Sequence, residues 1–440
     1  MCEALVSRHR VSLAFRLSIV LAALLVPGHA FAQDTRMDEA PEQAPGGASQ
    51  LPRVDAGLFK QPQLVSTAID YAFDRYGDTG TPKDGFYLEL SNMITGSGFV
   101  SIGPGYRHQI LNNRGFVDMS AAVSWRLYNM MQGRVEISDL FNNRLSVGGQ
   151  VMWQDQTQIN YFGIGPNSLE TNQSQYQLQS IDTVTYATLR PLSSLAFTGE
   201  FGFLRRPDVL SPGGTFKPSV PTTVEEFPNE PGVSEPFQPN YLHGELSLTR
   251  DTRNHRSWPT SGGLYRAQMT SFVDKSTSIG RFTFQQYEAE GLQIIPVMED
   301  YDWRLALHGW IVWSDVPRGN QVPFYLLPSL GGNNSLRSFA DYRFHDQNLA
   351  VANVESRWGV WTNLDLAVFL DAGNVGPRVQ DLNLDKTSIG AGLRLHTERA
   401  TFARFDVAYG ADGWNFVFRT SDPLRLARLT RRVAAVPFVD

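Results

Sequence analysis

One cation decides how the stretch LGGNNSLRSFADYRF, residues 330–344, is to be read. Its glycines and asparagines are the residues of a surface loop. Arg337 then stands between Leu336 and Phe339, with Ser338 beside it, and a loop in water has no use for apolar residues pinned around an arginine. The stretch therefore raises the question of what Arg337 is inserted into. Glu355 and Arg357 lie in one alternating stretch that follows, and Phe369-Leu370-Asp371-Ala372-Gly373 in the next. A third polar cluster, DTRNHRSWPTSGG (251–263), holds Asp251, Thr252, Arg253, Pro259 and Gly262 at a chain reversal.

Other chemistries find less support. His243 and His308 could join a hydrolase triad with a serine, but no Gly-x-Ser-x-Gly elbow accompanies them, and polar residues of an interior face are the better reading. Asp381-x-Asn383-x-Asp385 opens like a calcium loop. Lys386 then replaces the turn glycine and Gly392 the bidentate glutamate, so no metal site is expected. No catalytic residue and no cofactor are expected either. With 38 Lys+Arg against 44 Asp+Glu, nothing favours nucleic acid as a partner.

The elements that must position these residues are strands. Residues 1–32 read as a signal peptide: Arg8, Arg10 and Arg16, an apolar run from Leu17 to Val26, then Ala30-Phe31-Ala32. The only cysteine, Cys2, precedes that run, which fits export without disulfides. Residues 33–84 read as a disordered linker, with disorder expected to about residue 60, and a short periplasmic segment that includes a helix over 64–76. No apolar run in the rest of the chain is long enough for a transmembrane helix. From Gly85 the sequence alternates. Leu145, Val147, Val151 and Trp153 share one face, Ser146, Gln150 and Gln154 the other; Leu364, Leu366, Val368 and Leu370 oppose Asp365, Phe369 and Asp371.

Sixteen such strands fit residues 85–422, leaving 423–440 as a tail. A secreted β-sandwich array alternates too, so the connections arbitrate. Those after even strands (111–114, 140–143, 191–194, 362–363) are short; 158–174, the proline-rich 207–239 and 316–346 follow odd strands and are long. Sorting of loop length by parity belongs to outer-membrane barrels. The same count puts Glu355, Arg357 and Asp371 on the interior face and makes 316–346 the sixth outer loop. Trp153, Trp303, Trp313 and Trp358 fall on the lipid face, as an aromatic girdle would.

On the three motifs, the chain resembles the BamA/TamA superfamily of outer-membrane assembly and secretion barrels, also called bacterial surface antigen proteins. The resemblance implies an all-β fold, a sixteen-stranded antiparallel transmembrane β-barrel with the sixth extracellular loop folded into the lumen. It implies that Arg337 matches the family's loop-tip arginine and Phe339 its aromatic, that Asp371 matches the wall acid of Phe-x-Asp-x-Gly, and that Glu355 is an acidic neighbour. Ser338 stands where the family has glycine, so a positive-φ backbone there would cost more. The expected setting is the bacterial outer membrane, with its lipid, an unidentified client and a periplasmic partner protein as partners. Residues 33–84 are too short for the periplasmic POTRA domains of full members. The function implied is insertion or translocation of protein or lipid; the alternatives are a passive porin and a membrane-embedded lipid hydrolase.

Overall fold

The computed structural model describes residues 58–63, 66–67, 84–91, 101–213, 219–235, 238–254, 258–276, 281–298, 302–396 and 401–419. The expected signal peptide and the tail 423–440 lie outside the described residues, as does most of the linker and of the helix over 64–76; Ser66 and Thr67 are helical.

The strands are β1 (Gly85–Ser91), β2 (Ser101–Ile110), β3 (Gly115–Ser124), β4 (Asn129–Leu140), β5 (Leu145–Tyr161), β6 (Ser174–Leu192), β7 (Leu195–Leu210), β8 (Tyr241–Asp251) and β9 (Gly262–Asp274). They continue with β10 (Phe284–Met298), β11 (Trp303–Asp315), the two-residue β12 (Ser329–Leu330) and β13 (Phe344–His345), β14 (Asn348–Trp361), β15 (Leu364–Gly376), β16 (Lys386–His396), β17 (Thr401–Gly410) and β18 (Gly413–Arg419). All but β12 and β13 form one sixteen-stranded sheet in chain order, with β11 paired directly to β14. Every pair is antiparallel.

The direction of the alternation identifies the barrel. On β15, Leu366, Val368 and Leu370 are 38%, 43% and 49% exposed, while Asp365, Phe369 and Asp371 are buried. On β17, Phe405 and Tyr409 face out while Arg404 and Asp406 are fully buried. A sandwich buries its apolar face; here the buried face is polar and the open face oily, which only a lipid surround rewards. Trp303 stacks on Trp358 at one end of β11, and Trp313 on Tyr287 at the other. Ten residues of strand rise about 33 Å, and a tilt of ~40° leaves a vertical span of ~25 Å, the height of an outer-membrane apolar band.

Two inner turns share one device. Leu111, Asn112 and Asn113, then Phe141, Asn142 and Asn143, all take positive φ between 52° and 65°. Asparagine tolerates that region better than most residues, so each Asn-Asn-Arg run turns the chain tightly.

Strand ends differ from the alternation reading. β5, β6 and β7 run to 17, 19 and 16 residues, beyond the ~9–11 needed to cross a bilayer. The overshoot carries Ile159, Tyr161, Tyr176 and Leu178 into an apolar cluster at the outer mouth, and that burial sets the ends. The outer connection 125–128 is as short as an inner turn, because Tyr128 tucks into the same cluster and donates its hydroxyl to the Gln158 carbonyl. The expected disorder to residue 60 also needs correcting. The Leu58 and Phe59 amides donate to the Gly359 and Val360 carbonyls at 2.8 and 3.0 Å, and Gln61 exchanges hydrogen bonds with Asn363. β11 pairs with β14 no further than Arg357, so the segment takes the edge left below it.

The long connections are expected to face outside. An epitope tag after Ser219 should be labelled on intact cells and one at Asn142 only after permeabilisation. Labelling of Asn142 on intact cells would invert the topology.

Candidate functional site

Loop 316–347 folds back into the barrel, and its tip meets the wall at β14 and β15. Arg337 is 1% exposed. Its Nε donates to Asp371 Oδ2 at 3.0 Å and its Nη2 to Asp371 Oδ1 at 2.7 Å, a two-point pairing. Its backbone amide also donates to Asp371, at 3.1 Å, so loop and side chain are held by one carboxylate. Nη1 donates to Glu355, and the guanidinium lies over the Phe369 ring, 3.3 Å from the centroid. Leu336 and Phe339 pack with Trp310, Leu330, Phe344 and Val351. Gly373 lets this happen: a Cβ there would come 2.8 Å from the Ala350 carbonyl and 3.3 Å from Leu330. Ser338 takes no positive φ; its amide and hydroxyl meet Ser388 Oγ at 3.1 and 2.6 Å, so the serine gains a partner that glycine would lack.

The pairing belongs to a larger network. Arg304, Arg337, Arg357, Arg394 and Arg404 are all fully buried. Glu355 accepts from Arg357 at 2.7 Å and from Arg394 at 3.1 Å in addition to Arg337. Asp406 accepts from Arg394 and faces Arg404, which donates to the Asn333 carbonyl of the loop. Asp365 accepts from Arg304 and pairs with His396. Burying one ion costs several kcal/mol, and sharing carboxylates among several arginines offsets it.

The network ends on the turn 252–261. Asp251 and Arg253 pair through both carboxylate oxygens. Thr252 hydrogen-bonds both the carbonyl and the amide of Gly263, and Asn254 accepts from the amides of Thr260 and Ser261. Gly262 has φ +89°, and a Cβ there would lie 2.1 Å from the Thr252 carbonyl oxygen. This frame, with Pro259 behind it, holds Trp258 inside the barrel mouth. The indole stacks on His396 at 3.9 Å, with the guanidinium of Arg304 at 4.4 Å and that of Arg357 at 5.5 Å.

At the outer end the loop is sealed by apolar contact. Val322, Phe324, Tyr325, Leu327 and Tyr342 pack on Tyr161, Tyr176, Tyr241 and Phe284 of the walls. Arg343 adds a polar anchor, donating to Asp412 at 2.8 Å and to Ser168. Tyr161 donates to Glu230 in connection 211–240, where burial pushes the carboxyl above its ordinary range.

The structure thus brings Leu336, Arg337, Ser338, Phe339, Glu355, Arg357, Phe369, Asp371 and Gly373 together, and sets Asp251, Thr252, Arg253, Pro259 and Gly262 below them as the frame of an inner turn. Sequence reasoning passed over Trp258, Arg304, Asn353 and Ser388. The parity of Asn353 and Ser388 was available, but nothing local marks a polar residue as a bridge to a loop. His243 pairs with Asp182, and His308 bonds Glu290 and Asn353, so neither faces a serine among the described residues. Asp381 pairs with Arg378 and Asn383 with Asn374; no metal-binding cluster occurs among the described residues.

Comparisons with known proteins bear on the fold and the family. A solved structure of BamA from Haemophilus ducreyi lacking POTRA domains 1–3 matches with a TM-score of 0.56 at 14% identity, over 77% of this chain and 71% of that one. CdiB from Escherichia coli matches at 0.48 and 12% identity (77% and 63% covered), and CdiB from Acinetobacter baumannii at 0.43 and 11% (76% and 58%). A search of curated protein sequences finds no match. The Omp85 superfamily domain matches residues 116–419, and the chain belongs to that superfamily of outer-membrane barrels.

Proposed function

We propose that this outer-membrane barrel inserts or translocates a protein or lipid client, and that loop 316–347 holds it in a closed resting state. The observation that carries this reading is the loop's grip on β18, the last strand in the sheet order. Asn415 donates to the Arg337 carbonyl at 2.8 Å, Asp412 accepts from Arg343, and Asp341 lies 3.7 Å from Arg419. Among the described residues β1 and β18 stand at the two ends of the sheet order. A seam between the first and last strands is where backbone groups would be offered to a client at least cost. Phe86, Trp414 and Phe416 stand exposed on these strands. A periplasmic partner protein would bring the client to this seam. No enzyme reaction is implied.

A passive porin is the competing outcome, and conductance of the purified protein in planar bilayers separates the two. The wild type should be closed for most of the record; a steady open pore would overturn the closed-state reading. Photo-crosslinkers at Phe86 and Phe416 should capture client or partner in outer membranes. Capture only from interior positions such as Gln150 would move the route into the lumen.

Arg337→Ala should free the loop to protease and raise conductance while the barrel stays folded. Removing one member of a buried pair costs ~3–5 kcal/mol, against ~0–1 kcal/mol if water reaches the site. Asp371→Ala should do the same, and the double variant should be little worse than either alone, because both delete one interaction. Additive losses would show that the two side chains act apart.

Trp258→Ala should loosen the inner turn, at up to about 2 kcal/mol per desolvated cation–π contact. Alone it should leave conductance nearly unchanged, since the loop still fills the lumen above it. Combined with Arg337→Ala it should raise conductance beyond the Arg337 variant. A double variant no more conductive than Arg337→Ala would deny Trp258 any part in closure.

A further inference from the structure

Asn353 on β14 joins the wall acid to the loop. Its Nδ2 donates to Asp371 Oδ1 at 2.8 Å and to the Ser335 carbonyl at 2.7 Å. Turning the amide over would set its oxygen against two acceptors, so Oδ1 faces the other way, towards His308 Nδ1 at 2.7 Å. An amide oxygen only accepts, so Nδ1 carries hydrogen. The second ring nitrogen, Nε2, lies 2.8 Å from Glu290 Oε1. A neutral imidazole protonated at Nδ1 offers a lone pair there, and an ionised carboxylate has nothing to donate. Two acceptors at that distance repel, so one proton must lie between Nε2 and Oε1. The pair is an imidazolium beside a carboxylate, or a neutral imidazole beside a carboxylic acid.

We infer that His308 is a positioning residue for the loop lock, and that the proton it shares with Glu290 keeps Asn353, Asp371 and the Ser335 carbonyl in register. This rests on reading loop 316–347 as a lock. The groups around the pair are charged on every side. β10 also carries Glu288, β8 and β9 supply the Glu245–Arg266 ion pair, β14 and β15 bring Glu355 and Asp371, and the loop brings Arg337. Arg266 and Arg337 are engaged with Glu245 and with Glu355 and Asp371, which leaves Glu290 as the group at hydrogen-bond distance from Nε2. As pH rises and the shared proton leaves, Nε2 and Glu290 oppose each other, the ring turns, and Asn353 Oδ1 loses its donor. The lock is therefore tight on the acid side and loosens towards alkaline pH.

The test is limited proteolysis of loop 316–347 in the purified full chain, from about pH 6 to about pH 9. Barrel folding in each variant is read from gel mobility without heating. Arg337→Ala, cut at every pH, gives the protease's own pH profile for normalisation. Against that profile, wild-type cleavage should rise roughly tenfold across the range. Glu290→Gln should stay resistant throughout, because the amide donates a hydrogen to Nε2 and no extra proton is needed. His308→Ala should be cut readily at every pH. A flat wild-type profile, a Glu290→Gln variant that keeps the wild-type slope, or a resistant His308→Ala would each overturn the positioning role. An Arg337→Ala variant as resistant as wild type would remove the lock itself, and this inference with it.

Discussion

A guanidinium taken out of water is the constraint on which the rest of this barrel depends. Arg337 reaches the lumen wall on a loop, so its charge is buried only if the wall supplies matching charge at that height. Asp371 and Glu355 do so, but carboxylates buried for one arginine create their own demand, and Arg357 and Arg394 answer it. The chain of obligations ends at Asp406 and Arg404 on one side and at Asp365, Arg304 and His396 on the other. No member can leave without exposing another, so β14 to β17 and the loop tip behave as one unit rather than as separate contacts.

That unit divides the lumen by physical character. Above it the loop is held by aromatic packing, which is indifferent to salt and strengthens as apolar area is removed from water. At its level the hold is ionic and buried, and so less screened than a surface pair. Below it Trp258 covers the arginines with a π face, giving them a neutral floor in place of a further carboxylate. Each layer suits its neighbour: an apolar cap lies over the ions, and the indole closes the network without adding a charge that would need a partner.

Much of this was legible in the sequence, and the reason is the period of two. Strand alternation fixes which side chains face inward, so Glu355, Arg357 and Asp371 could be assigned to the lumen from their neighbours and the strand count. Loop counting then placed Arg337 in the sixth outer connection. What could not be read depended on distance. Trp258 lies in a turn, where no period applies, and its partners Arg304, Arg357 and His396 are remote in the chain. In the overshoot of β5 the alternation lapses, with Gln154 to Gln158 all polar and a register shift before Ile159, so the packing of Tyr161 and Tyr176 against Phe324 rather than a period decides where these strands stop. Ser338 could be judged only with Ser388 in view, because the cost of replacing glycine depends on whether the backbone needs positive φ, and here it does not.

The placement of the lock also ties the interior to the edge of the sheet. The loop's ionic contacts lie on β14 to β18, and the Arg337 carbonyl itself accepts from Asn415 on the final strand. Among the described residues β18 pairs with β17 over its whole length. The loop adds contacts to it through Asn415, Asp412 beside its first residue, and Arg419 near Asp341. Withdrawing the Arg337 tip removes the first of these directly and slackens the others, since all three attach to residues 337–343 of one loop. On the proposed function, release of the loop tip would also loosen the last strand, because both rest on contacts of residues 337–343.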